Sequence, residues 1–337
     1  MPRRSGPDPP KPTEIFAPPQ DQSFHGFRSE AERQWFRHNF TDRPVLKERS
    51  IDVTVLSAEV QAVLVPRQWA QYLLIESDCN VTWVREFYAS LIADAHGTIH
   101  AYIRGRGFSF DVAQLVIFMG VPLLPDAPVP WAADARPSDE DVFRTLTGNP
   151  TATFVGPNVE QSECTEFFRE LNIVLRHTIL LTSHKANFGI SHASYLAAIG
   201  DPGTLVSFPR LVMEAMRRAA ASKSQRVSLP FGSLITRIIA AETNLRTRPA
   251  DLHIAVQGRL THASITKSAS ALSSSKRART ASGPAAPRRT RQSAAAGAAS
   301  EGEEGDEARD WEEMHERLDE IHALQESAGQ RIEDIYG

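Results

Sequence analysis

Trp83, Val84, Phe87, Tyr88, Leu91 and Ile92 recur at i, i+1, i+4, i+5, i+8 and i+9. That spacing forms one broad face at 3.6 residues per turn and would scatter over both sides of a strand. A core helix is expected over Asn80 to Ala93, capped by Asn80 or Asp78. Similar patterns predict Glu30 to Asn39 behind Ser29, and Glu163 to Leu181 carrying Phe167, Phe168, Leu171, Val174 and Leu175. Phe208 to Ala221 follows Ser207, with Pro209 in its first turn. Phe231 to Ala241 sets Phe231, Leu234, Ile235, Ile238 and Ile239 on one face. Asp139 to Thr147 opens with acidic residues that suit a helix N-terminus. The one β signal is the alternation from Ile99 to Phe110 on both sides of Gly105-Arg106-Gly107, which reads as a hairpin. Asp111 then begins a short apolar helix to Met119, closed by Gly120 and Pro122. The fold class is mainly α: a single globular helical domain with one small β-hairpin, a disordered tail and a C-terminal coiled-coil-like helix.

The core is confined to part of the chain. Residues 1–22 form a Pro-rich arm with prolines at 2, 7, 9, 10, 12, 18 and 19, and are expected to be disordered. The domain is expected over 23–250, followed by a disordered Ser/Ala/Arg-rich linker over 251–305 and an acidic helix over 306–337. The net charge of −4 averages a basic block against an acidic one. Lys276-Arg277 and Arg288-Arg289-Thr290-Arg291 are separated by ten residues, a spacing that suits the two acidic pockets of an import receptor. The expected compartment is therefore the nucleus; a generic basic linker would leave the chain in the cytoplasm.

In the acidic segment, Trp311, Met314, Leu318, Ile321, Gln325, Ala328, Ile332 and Ile335 are spaced 3-4-3-4-3-4-3, the seam of a coiled coil. A homodimer through this helix is expected, and the alternative is a helix folded back onto the domain. Gly329 weakens the helix by about 1 kcal/mol.

The chemistry of enzymes is hard to find. Cys79 and Cys164 are the only cysteines, too few for a disulfide framework or a zinc knuckle, and they read as buried free thiols. With no apolar stretch after the N-terminal arginines, no secretory signal is expected, and with no apolar run of about 18 residues, no membrane span is expected. A three-carboxylate, two-metal site has no strand-end candidates; Asp201, Glu242 and Asp251 read as solvent-facing loop or helix-end residues. His177, His184 and His192, beside Ser183 and Cys164, lack an orienting acid; His177 belongs on a helix and the other two in a turn. Arg104 and Arg106, alternating with Gly105 and Gly107, are candidates for phosphate contact, against the simpler reading of a wet hairpin tip. The chain is expected not to be an enzyme, with no cofactor and no metal site, and with nucleic-acid binding weakly supported.

Several segments together resemble the plant transposon protein domain family, a mobile-element-associated domain. They are Phe27 to Phe36 with Glu48-Arg49, Trp83-Val84-Arg85-Glu86-Phe87-Tyr88-Ala89, Tyr102-Ile103-Arg104-Gly105-Arg106, Phe108-Ser109-Phe110 and Gly120-Val121-Pro122. His177, Leu180 to His184, Phe208-Pro209 and Leu229-Pro230-Phe231 with Leu234-Ile235-Thr236 continue it over about residues 24–245. The match is looser from Ala127 to Glu163. The resemblance implies a mobile-element setting and no defined chemistry. It favours a non-catalytic binding or assembly module. The alternatives are an inactive transposase- or integrase-like fragment that binds DNA, and a capsid-like retroelement assembly protein.

Overall fold

The computed structural model describes residues 26–124, 127, 131, 135–181, 187–225 and 227–267. The basic clusters at Lys276-Arg277 and Arg288 to Arg291 lie outside the described residues, as do the Pro-rich arm and the 311–335 seam. The described chain is mainly α. Its helices are α1 (Glu30–Asn39), α2 (Ala58–Leu64), α3 (Ala70–Leu73), α4 (Val81–Ser90), α5 (Val112–Met119), α6 (Asp139–Thr147), α7 (Glu166–Thr178), α8 (Ile190–Gly200), α9 (Phe208–Ala221) and α10 (Gly232–Thr243). Its strands are β1 (Cys79–Asn80), β2 (Ile92–Ala93), β3 (Ile99–Ile103), β4 (Arg106–Phe110), β5 (Asn158–Glu160), β6 (Asn187–Gly189) and β7 (His253–Ile254).

Short polar side chains start most of the helices by accepting orphan N–H groups. Ser29 accepts from Glu32 N–H at 3.2 Å, Asn80 from Trp83 N–H at 3.0 Å and Ser138 from Asp141 N–H at 3.1 Å. Asp111 and Gln114 cap each other's backbone at the start of α5, and Gly120 ends that helix in the left-handed region at φ 66°. Ser207 makes no capping bond, so α9 starts on the fixed φ of Pro209 instead.

Helix α4 sits at the centre of the packing, against α1, α9, α10 and the sheet β2-β3-β4. Phe87 lies on this sheet with its ring centroid 6.4 Å from that of Phe108 and 6.2 Å from that of Phe110. The helix stops at Ser90, three residues short of the expected Ala93. Ser90 Oγ accepts Tyr102 N–H at 3.0 Å, and Ile92-Ala93 leave the helix to pair with Ile99 and His100. Sheet pairing thus outcompetes helical periodicity for the last residues.

The hairpin is shifted by one residue from its expected turn. Ile103 pairs with Arg106, so the loop is Arg104-Gly105, with φ of 50° and 87°. Two consecutive positive φ values make a type I′ turn, whose twist matches that of the strands.

Helices α2, α3 and α8 and the strand pairs β5-β6 and β1-β7 had no sequence expectation. Helix α8 is nearly all buried, so it lacks an exposed polar stripe. The two-stranded pairs β5-β6 and β1-β7 are too short for alternation to register. His192, expected in a turn, lies in α8.

The packed chain also runs past residue 250, where a linker was expected. Val81 N–H donates to Leu252 O at 2.8 Å and Leu260 N–H to Ser50 O at 2.9 Å, while Leu260 and Ile265 are buried. This strap lies against residues 44–51, which bond on their other side to Leu229 and Gly232.

Candidate functional site

The charged side chains inside the molecule are taken up by structural partners. Glu48 lines a cavity with room for about one water, together with Arg49, Tyr72, Thr178, Ser233 and Arg237. Its carboxylate accepts Ser233 N–H at 2.8 Å, Leu234 N–H at 3.0 Å and Tyr72 O–H at 3.3 Å. It therefore caps α10 from a segment far away in sequence. Burial raises the Glu48 carboxyl above its ordinary range, against the pull of those donors.

Asp251 and Glu86 hold Arg104. The Arg104 guanidinium makes a two-pronged contact with Asp251, Nη1 at 3.1 Å from Oδ2, and its Nε is 3.4 Å from Glu86. Asp251 also accepts Arg248 N–H at 2.8 Å and the Asn80 amide at 3.1 Å. Burial works against the Asp251 charge, but these donors bring its carboxyl down to about 2. The solvent-facing reading of Asp251 is corrected: a guanidinium, not water, keeps it ionised. Asp201 accepts from Gly203 N–H and Thr204 O–H within its own turn, and Glu242 is exposed. Among the described residues no group of three or more His, Cys, Asp or Glu could hold a metal ion.

The structure separates the two arginines considered for phosphate contact. Arg104 is turned inward, its side chain 7% exposed between two carboxylates, so a phosphate would have to displace Asp251. Arg106 is exposed on β4, and Arg246 and Arg248 are exposed in the segment leading to Asp251.

Of the histidine group, Ser183 and His184 lie outside the described residues. His177 is on α7, and His192 Nε2 lies 2.8 Å from Asn172 Oδ1. Burial pushes both the Cys79 and Cys164 thiols up to about 12, which suppresses thiolate chemistry at neutral pH.

Two cations escaped sequence reasoning because their partners are backbone carbonyls, which carry no residue signal. Arg43 is fully buried and donates to Val227 O at 2.8 Å and Ser222 O at 3.2 Å; without a carboxylate on it, burial lowers it to about 10. Arg67 donates to Ala198, Ile199, Asp201 and Thr204 carbonyls at the end of α8.

The outer face of α5 is different. Its sequence VAQLVIFM has no charged residue, yet only Leu115 and Met119 are buried. Ile117 is 80% exposed, Ala113 is exposed and Val116 is half-buried, so one side is an apolar strip facing out. Leu123, 39% exposed, extends it beyond Gly120. Gln71 of α3 lies beside Gly120, and Leu74, just after α3, is also 39% exposed. Apart from Gln114, which is exposed in the capping turn, α5 is apolar, and a helix that apolar is normally buried on most of its sides. The signal was present in the run from Leu115 to Leu124, which is too short for a membrane span but too apolar for a free surface. Among the described residues no helix is long and apolar enough to cross a membrane.

No curated protein and no solved structure matches this chain. The family model for the Putative plant retrotransposon-related domain matches residues 65–243, more than half of the 337 residues. The matched span runs from the end of α2 to the last residue of α10 and contains α4, the hairpin and α5. The chain therefore belongs to the plant retrotransposon-related domain family and is a transposon-derived protein.

Proposed function

We propose that this chain works by binding, as a non-catalytic module whose contact surface is the outer face of α5. The exposure of Ile117 on an uncharged helix carries the reading, because surface apolar strips of this kind mark contact sites. The strip suits the apolar side of another helix, laid across it as in helix-in-groove recognition. Supporting it, the inward-facing carboxylates Glu32, Glu48, Glu86 and Asp251 each hold a structural donor. The proposal includes the nucleus as compartment and an import receptor as partner, on the strength of the basic pair in the sequence.

A second reading, DNA binding, is favoured by the exposed Arg106, Arg246 and Arg248 on either side of the Arg104–Asp251 pair. Retention on duplex DNA that weakens steeply with salt and is lost in Arg106→Ala would select it.

Two measurements on the full chain test the first reading. No magnesium- or manganese-dependent cleavage of DNA should accompany the protein, and cleavage that does so overturns the non-catalytic part. In the full chain carrying Leu318→Asp and Ile321→Asp, where the acidic segment cannot cover the face, Ile117→Asp should move stability by no more than about 0.5 kcal/mol, as a surface change does. A loss of about 3 kcal/mol would make Ile117 a core residue and overturn the contact surface.

A further inference from the structure

The α5 face is small. Eight residues at 1.5 Å rise make a strip about 12 Å long and, at a helix width of about 10 Å, on the order of 120 Å² in area, far short of the roughly 800 Å² that each partner buries in a stable complex. A freely diffusing partner gains too little there to bind tightly. A tethered one does not need to, because linkage raises its local concentration to the order of millimolar.

The chain carries such a partner. Forty-three residues separate Lys267, the last one described, from Trp311, where the seam begins. A flexible coil of that length would span roughly 35–40 Å on average and about 140–155 Å when fully extended, so its far end could reach any face of a domain of this size. The seam has the right chemistry in sequence: Trp311, Met314, Leu318 and Ile321 recur at a 3-4-3 spacing that a helix would set on one side.

Charge agrees. Residues 306–337 hold eleven carboxylates and three arginines. The side chains that bond to backbone at the carboxyl end of α5 and just beyond it are arginines: Arg237 donates to Phe118 O, and Arg210 donates to Ala127 O at 3.4 Å. Arg210 is exposed, on a helix that packs against α5.

Resting on the binding reading above, we propose that α5 is covered by the Trp311–Ile321 part of the same chain's acidic C-terminal segment. The tail then competes in cis with any outside helix for the α5 face. An external partner must displace a ligand present at millimolar effective concentration, which makes the tail an inhibitor of binding.

The test uses cysteine pairs in the full chain. Ile117→Cys combined with Leu318→Cys should form an intramolecular disulfide at least tenfold faster than Ile117→Cys combined with Asp319→Cys, because Asp319 is off the seam. The native thiols are buried and stay out of the exchange. Equal rates for the two pairs would reflect collision of a loose tail, and would overturn the proposal. A disulfide formed between chains, with a rate that rises with concentration, would also overturn it. That outcome keeps α5 as a binding surface and assigns it to a second copy. Absence of either disulfide overturns the occupant, while the binding reading is still judged separately by the Ile117→Asp stability measurement.

Discussion

At the scale of single residues, most of the polar chemistry closes the fold. Glu48 offers one oxygen to Ser233 N–H and the other to Leu234 N–H. In Glu48→Gln one of those donors would meet an amide NH₂, leaving a buried N–H without an acceptor. Chemical denaturation should show a loss of about 1–3 kcal/mol at pH 7; an unchanged midpoint would mean the cap is dispensable. Asp251 gives a pH signature. Its folded pKa of about 2 lies below the ordinary 3.8, so the stability it contributes is present above the ordinary value and is lost as pH falls from about 4 to about 2. Asp251→Asn should flatten that part of the stability curve while lowering stability at pH 7, where Arg104 would lose a charged partner. Gly232 is fixed by contact rather than by φ: a Cβ there would stand 2.6 Å from Cys79 Sγ and 2.9 Å from Val45 Cγ1. None of this was legible in the sequence. Glu48, Asp251 and Gly232 meet partners more than 140 residues away, and their chemical types alone do not say so.

At the scale of elements, the sequence was most informative where the signal is local. The limits of α1, α6 and α9 agree with their expected ranges because the start signals are local: a serine cap and an acidic first turn for α1 and α6, and Pro209 for α9. Legibility failed where tertiary structure decides: α8 shows no polar face to reveal its period, and the hairpin turn was placed one residue late. The end of α8 depends on Arg67, which donates to four carbonyls there and stacks over Trp69 at 5.4 Å. Arg67→Lys should destabilise nearly as much as Arg67→Ala, by about 1–2 kcal/mol, since a single ammonium cannot match the planar fork. Thermal melts of both variants would check this, and full rescue by lysine would refute the forked cap. The α5 strip was half legible: its apolar run was visible, but which side faces outward depends on α9 and α10 beneath it.

For the whole molecule, residues outside the family match complete the fold. Arg28 bonds to Ser90 O and Glu32, Arg43 reaches Val227 O, Glu48 caps α10, and the strap through Leu260 bonds to Ser50. A fragment of 65–243 should therefore fail to unfold cooperatively, whereas 26–267 should give a single transition. Past 250, where a linker was expected, the strap is held by partners far away in sequence: Val81 and Ser50 through backbone, Arg104 and Asn80 through Asp251. Beyond the domain, alanine at Arg288, Arg289 and Arg291 should reduce the nuclear share of a fluorescent fusion. An unchanged share would remove the import signal. The central claim is that α5 presents an apolar face that a helix covers. Its most direct test is amide hydrogen exchange over residues 112–119 in the full chain, with and without Leu318→Asp and Ile321→Asp together. The account predicts exchange at least tenfold faster in the doubly substituted chain, equivalent to about 1.4 kcal/mol of lost protection, with α4 and α10 unaffected. Identical exchange over 112–119 in the two chains would contradict it.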